Sequence, residues 1–195
     1  YAYNNKGEIV DKVKRVAGWN EIGNDWYYVS SEMNFVDGIY TVNGKEYYFE
    51  NGRLIKSSNG ISIVSSYRDE NDKIVTYVIA YNSEGVVVEK KKAVANTWIQ
   101  LRGKWYYYDN NQKVTGYYTV ENTKYYFDAN GVMQTGWFKI DGEDYYAVSS
   151  GAIIAQWVGS GNNWYYVDAN GKMVTGDYKI NKVVYRFDAN GVWLG

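Results

Sequence analysis

The chain is predicted to be all-β, a solenoid of about eight stacked β-hairpins of ~20 residues each. Three observations predict it. Paired aromatics recur as a ladder: Tyr27-Tyr28, Tyr47-Tyr48, Tyr106-Tyr107, Tyr125-Tyr126, Tyr145-Tyr146, Tyr165-Tyr166 and, with one change, Tyr185-Arg186. Neighbouring rungs lie 20 residues apart from 27 to 47, 19 apart from 106 to 125, and 20 apart at each later step. Five of the seven rungs are preceded by a glycine that opens a strand: Gly18-Trp19, Gly38-Ile39, Gly116-Tyr117, Gly136-Trp137 and Gly176-Asp177. Turn signals separate the strands at fixed places.

Within one period the elements follow in order. After the opening glycine comes a first strand, then a tight turn, marked most clearly by Asn43-Gly44 and Asp141-Gly142. The second strand carries the aromatic pair. A connecting loop follows, Asp-Ala-Asn-Gly at 128–131, 168–171 and 188–191, with Asp first and Gly fourth as a type I turn asks. A lone two-stranded hairpin is marginal in water. Hairpins that cover each other's aromatic faces share a continuous core.

The whole chain, 1–195, reads as one repeat domain with three segments. Residues 1–57 are N-terminal repeats, 58–97 are irregular, and 98–195 are regular. In the irregular segment a pair of apolar strands, 61–67 and 74–81, flanks a polar turn, which suggests one repeat with a lengthened hairpin. Lys90-Lys91-Lys92 reads as a solvated edge. Ile9, Val10, Val13 and Val16 have helical spacing, compatible with a short helix or an irregular loop. The chain opens on Tyr1-Ala2-Tyr3-Asn4-Asn5-Lys6-Gly7, the second half of a repeat, so it is expected to be a segment of a longer protein.

Composition narrows the function. The chain is 46% hydrophobic and 18% aromatic, with 23 Tyr and 8 Trp, so flat amphipathic rings carry its apolar content. A net charge of −1 gives no pull toward nucleic acid or an anionic membrane. No apolar run approaches the ~20 residues of a membrane span. Cys and His are absent, which removes disulfides, thiolate metal sites and the commonest general base. There is no nucleophile motif, phosphate loop, metal cluster or distinguished carboxylate pair. No cofactor and no catalytic residue are expected: the chain reads as a non-enzyme.

One feature is selective. Three hairpins carry two tryptophans seven residues apart: Trp19/Trp26, Trp98/Trp105 and Trp157/Trp164. In a hairpin with a two-residue turn this spacing is expected to set the two rings opposite each other on one face. The other hairpins hold Ile39/Glu46, Tyr117/Lys124, Trp137/Asp144 and Asp177/Val184 there. If the Trp pairs served packing alone, every repeat would want them. Binding and packing between repeats both remain open for these rings, whereas the Tyr pairs read as core.

Gly18-Trp19 with Trp26-Tyr27-Tyr28, the run Trp105-Tyr106-Tyr107-Tyr108-Asp109 and the cassette from Trp164 to Met173 closely resemble the choline-binding and glucan-binding family of cell-wall-binding repeats. The resemblance covers nearly all of the chain outside 58–97. It implies a superhelical solenoid on a secreted, extracellular, wall-associated protein of Gram-positive bacteria. It also implies aromatic boxes around the quaternary ammonium of choline on teichoic acid. Carried over, the boxes are Trp19/Trp26, Trp98/Trp105 and Trp157/Trp164, with third walls Tyr48, Tyr126 and Tyr185; which Tyr of each pair faces the ligand is left open. Met33 and Met173 fall in loops where the family places a contacting Met. The sequence departs from the pattern at Arg186, a cation beside a cationic ligand, and in the lengthened central repeat, which puts the neighbour of Trp19/Trp26 in question. Alternatives to choline are a wall glucan, stacked on the same rings, and a purely structural stalk. Pairing of two chains into a homodimer is left open.

Overall fold

Where the sequence asks for a tight turn, the backbone supplies one. The structure, a computed structural model, describes residues 2–3, 9–11, 16–58, 60–68, 74–93, 96–110 and 112–195. Asn43 and Gly44 both take left-handed φ, 49° and 77°, the type I′ turn whose twist matches paired strands. They close Gly38–Val42 onto Lys45–Glu50 with Val42 opposite Lys45. Asp141-Gly142 does the same for Gly136–Ile140 and Glu143–Ala147. Glu121-Asn122 and Asn181-Lys182 adopt this conformation with no glycine. That conformation costs ordinary residues roughly 1–2 kcal/mol each, so strand pairing holds these two turns against local preference.

Every regular element among the described residues is a strand. The chain divides into two compact units, Tyr1–Gly103 and Lys104–Gly195. In the first unit Ala2–Tyr3 pairs with Ile9–Asp11. Neither a helix nor an irregular loop therefore holds 9–11: strand pairing overrides the helical spacing there, and Val13 lies outside the described residues. A five-stranded sheet follows, in the order Gly18–Ile22, Asp25–Val29, Arg53–Leu54, Lys45–Glu50, Gly38–Val42. The lengthened repeat is a three-stranded sheet. Gly60–Arg68 and Ile74–Tyr81 form the expected long hairpin, and Val87–Ala93 adds a third strand to the second of them. The polar turn at 69–73 lies outside the described residues.

The second unit is more regular. Hairpins pair Gly116–Val120 with Thr123–Phe127, Gly136–Ile140 with Glu143–Ala147, Gln156–Ser160 with Asn163–Val167, and Gly176–Ile180 with Val183–Phe187. The Asp-Ala-Asn-Gly loops are built alike. Gly131 N–H donates to Asp128 C=O at 2.8 Å, and the Asp128 carboxylate accepts from the N–H groups of Asn130 and Val132. Asp168 and Asp188 repeat the pattern. The loop at 148–151 closes the same backbone bond with Val148 in place of Asp, so the carboxylate reinforces a turn that the backbone already makes.

The core of each hairpin sits one residue beyond the aromatic pair. Val29, Phe49, Phe127, Ala147, Val167 and Phe187 are at most 3% exposed, while most of the Tyr residues before them are half-buried. The pair divides its labour between two joints. Its second Tyr packs on the next hairpin: Tyr28 on Tyr40, Tyr107 on Tyr118, Tyr126 on Phe138 and Tyr166 on Tyr178, with centroids 5.4–5.9 Å apart. Each loop also ties back to the preceding hairpin. The N–H groups of Met133, Ile153, Met173 and Trp193 donate at 2.8 or 2.9 Å to the carbonyls of Trp105, Lys124, Asp144 and Trp164.

These buried rings make stability sensitive to alkali. Burial pushes Tyr108 up to about 12. Burial, and then the hydrogen bond its hydroxyl donates to Glu50, moves Tyr48 well above its usual 10.0. A hydroxyl that stays neutral longer in the folded chain contributes stability in full below pH ~10, and that stability drains away as pH climbs toward the folded value. Circular dichroism is thus expected to hold level to about pH 10 and then to fall together with the late phase of tyrosinate absorbance near 295 nm.

Candidate ligand-binding site

The hairpin register decides what the Trp pairs can do. Trp19 lies opposite Tyr28, and Trp26 opposite Glu21; likewise Trp157 faces Tyr166, and Trp164 faces Gly159. The paired indoles are therefore diagonal neighbours on one face, not opposite each other as the spacing suggested. The two-residue turn matches residues whose numbers sum to 47 in the first hairpin, and 19 with 26 misses that by two. Diagonal placement opens a corner between the rings. Trp19 and Trp26 stand 6.3 Å apart at 77°.

The next hairpin supplies a further wall. Tyr47 meets Trp19 at 5.2 Å and 80°, and Tyr185 meets Trp157 at 5.1 Å and 75°. Tyr48, the expected wall, turns to the other face and is buried with Ile39, Ile79 and Tyr81. Tyr126 packs between Tyr117 and Phe138. Tyr185, named with Trp157 and Trp164 from the sequence, lies against Trp157. The physical rule is strand alternation. The first Tyr shares its face with the buried residue two places on, so Trp19 touches both Tyr47 and Phe49, and Trp157 both Tyr185 and Phe187.

The C-terminal box has a fourth member that the sequence reading missed. Trp193 lies 5.5 Å from Trp157 at 68° and 6.3 Å from Tyr185, placed by its N–H bond to the Trp164 carbonyl. Two places after the loop glycine, it stands where Met133 and Met173 stand in other loops. That spacing is the signal that would have found it. The inner rings rest on a core of Val174, Ile180 and Phe187, while Trp164, on the same face by register, is 51% exposed. In the first box Trp19, Tyr28 and Tyr47 pack on Val36, Phe49 and Leu54, and Trp26 is the exposed ring. Glu21 shares the Trp19 face and brings a carboxylate to it.

The remaining candidates fall elsewhere. Trp98 lies in the first unit on Thr97–Leu101, and Trp105 in the second on Lys104–Asp109. Met33 sits in the loop after Asp25–Val29. With φ of 64° it occupies the left-handed loop place that Gly131 fills elsewhere, and Phe35 takes the contacting place, bridging to Val29 as Met133 does to Phe127. Met173 donates its N–H to the Asp144 carbonyl of the preceding hairpin and also bridges to Val167 on the hairpin of Trp157 and Trp164.

With this geometry in hand, known proteins give the context. A family model described as choline-binding repeat matches residues 114–157, and one described as putative cell wall binding repeat matches 17–31, 96–111 and 156–173. The chain belongs to the choline-binding, cell-wall-binding repeat family. Among solved structures, CbpF in complex with ipratropium is 27% identical with a TM-score of 0.50, over 91% of this chain and 53% of that one. CbpJ from Streptococcus pneumoniae TIGR4 is 23% identical with a TM-score of 0.49, over 91% and 73%. The choline binding domain of Spr1274 in Streptococcus pneumoniae is 32% identical with a TM-score of 0.35, over 42% of this chain and 96% of that domain. This chain thus spans about half the length of the CbpF structure. No curated protein matches it.

Two departures from the repeat family's pattern resolve. Arg186 does not confront the box. Its Nε lies 2.8 Å from Asp177 Oδ1, directly across the hairpin, and the pair neutralises itself. The Asp177 carboxyl is held below its usual range by that guanidinium. The lengthened repeat does not displace the neighbour of Trp19/Trp26, because the wall comes from Tyr47, ahead of the insertion.

Proposed function

We propose that the chain is a non-catalytic wall-binding module that holds the quaternary ammonium of choline on teichoic acid in boxes shared by successive hairpins. The observation that carries this reading is the near-perpendicular meeting of Trp157 with both Tyr185 and Trp193, beside the exposed Trp164. A quaternary ammonium has no N–H to donate, so ring faces are its natural partner, at roughly 0.5–2 kcal/mol per ring. Three or four rings support a site of about 4 kcal/mol, in the millimolar range. Repetition of the boxes against a polymer bearing many cholines adds about 100-fold through avidity. On this reading the protein acts outside the cell, on the wall.

Titration with choline is expected to change Trp fluorescence with a midpoint in the millimolar range, and the protein is expected to bind a tertiary-amine resin and elute with choline. No response at tens of millimolar choline, with retention on a dextran column instead, would transfer the boxes to a glucan. No response to either ligand would leave the stalk.

A further inference from the structure

Three of the four hairpins without Trp pairs receive an ammonium group from the chain itself. At 116–127 the second Trp's place holds Lys124, whose Nζ lies 6.0 Å from the Tyr117 ring centroid and donates to Asn170 Oδ1 at 2.8 Å. At 38–50 it holds Glu46, 2.6 Å from Lys90 Nζ, which in turn lies 5.3 Å from the Tyr77 ring centroid. At 136–147 it holds Asp144, 2.8 Å from Lys139 Nζ.

The last of these keeps most of a box. Trp137 occupies the first Trp's place, and Tyr165 meets it at 5.4 Å and 71°, as Tyr185 meets Trp157. Met173 is tied to the Asp144 carbonyl as Trp193 is to that of Trp164. Lys139 pairs with Asp144 across the hairpin, and Trp137 with Tyr146, so Trp137, Lys139 and Asp144 share one face. The outer indole has become a carboxylate, and Met173 stands where the C-terminal box has Trp193.

We propose that Trp137, Asp144, Tyr165 and Met173 form a further cation site, selective for an ammonium that keeps an N–H: a protonated primary, secondary or tertiary amine. The inference rests on reading the Trp boxes as cation sites. A carboxylate wall accepts a charge-assisted hydrogen bond from such a ligand, which a fully alkylated ammonium cannot give. Lys139 is the resident partner of that carboxylate. Its side chain is 63% exposed and that of Asp144 37%, and ion pairs so open to water are weakly held, so an incoming amine displaces it readily.

The test uses the whole 15N-labelled chain and follows the indole N–H signals of Trp137 and Trp157, assigned from Trp137→Phe and Trp157→Phe proteins. Protonated dimethylaminoethanol is expected to shift Trp137 with about tenfold lower Kd than choline, the low end of the worth of one charge-assisted hydrogen bond. Asp144→Asn is expected to erase that preference, and Lys139→Gln to tighten dimethylaminoethanol binding about twofold. An unchanged Trp157 signal in each variant shows that the fold is intact. Equal shifts of Trp137 in the parent and Asp144→Asn proteins would overturn the proposal. So would a silent Trp137: if Trp157 still answers choline, this site alone fails, and if both are silent the choline reading fails with it.

Discussion

Trp157→Ala is expected to destabilise the C-terminal hairpins and to abolish their ligand response together, whereas Trp164→Ala separates the two effects. Trp157 touches Tyr166, Tyr185, Phe187 and Trp193 and packs on the Val174–Ile180–Phe187 core. Its loss leaves a cavity in a joint between two hairpins, at a cost of about 3–5 kcal/mol. Thermal melting would record that as a fall of roughly 10 °C or more in a unit of this size. Trp164 is half exposed, so its truncation is expected to cost about 1 kcal/mol or less. It nevertheless removes one ring face from the box and weakens choline there by about tenfold. A Trp164→Ala protein that melts early would point to packing as that ring's task.

Gly171→Val is expected to be as damaging, at a position that touches no ligand. Gly171 has φ of 76°, and a Cβ there would lie 2.8 Å from the Tyr146 carbonyl oxygen and 3.0 Å from Ile153 Cγ2. Its own carbonyl accepts the Tyr146 N–H at 2.8 Å. A β-branched side chain thus meets an unfavourable backbone and a fixed neighbour at once, and a loss of about 3 kcal/mol or more follows. Gly136→Ala is the control. Its φ is 67°, but nothing lies within 4 Å of the added carbon, so only the backbone cost of about 1 kcal/mol applies. Denaturant midpoints of the two proteins would show the difference.

The hairpin ladder was legible in the sequence because spacing and turn chemistry agree: Asn43-Gly44 and Asp141-Gly142 could hardly be anything but turns. The selective Trp pairs were legible for the same reason. The facing of the Tyr pairs was harder to read, since Tyr47 and Tyr48 are the same residue type on opposite faces of one strand. The clue lay two places on, in Phe49, which fixes the inward face. Met33 was chosen by residue identity, whereas counting from the left-handed loop residue leads to Phe35 and Trp193. The third strand at Val87–Ala93 was hidden by Lys90-Lys91-Lys92, whose charges suit an edge strand as well as a loop.

Each box draws walls from two hairpins, Trp157 and Trp164 from one and Tyr185 and Trp193 from the next. A ligand seated there is bonded to both sides of a joint, so it acts as a rivet. On the choline reading, occupancy stabilises the joint by RT ln(1 + [L]/Kd), adding about 1.4 kcal/mol at a ligand concentration ten times Kd. The anchor would then be stiffest where it is attached, drawing mechanical strength from the surface it grips.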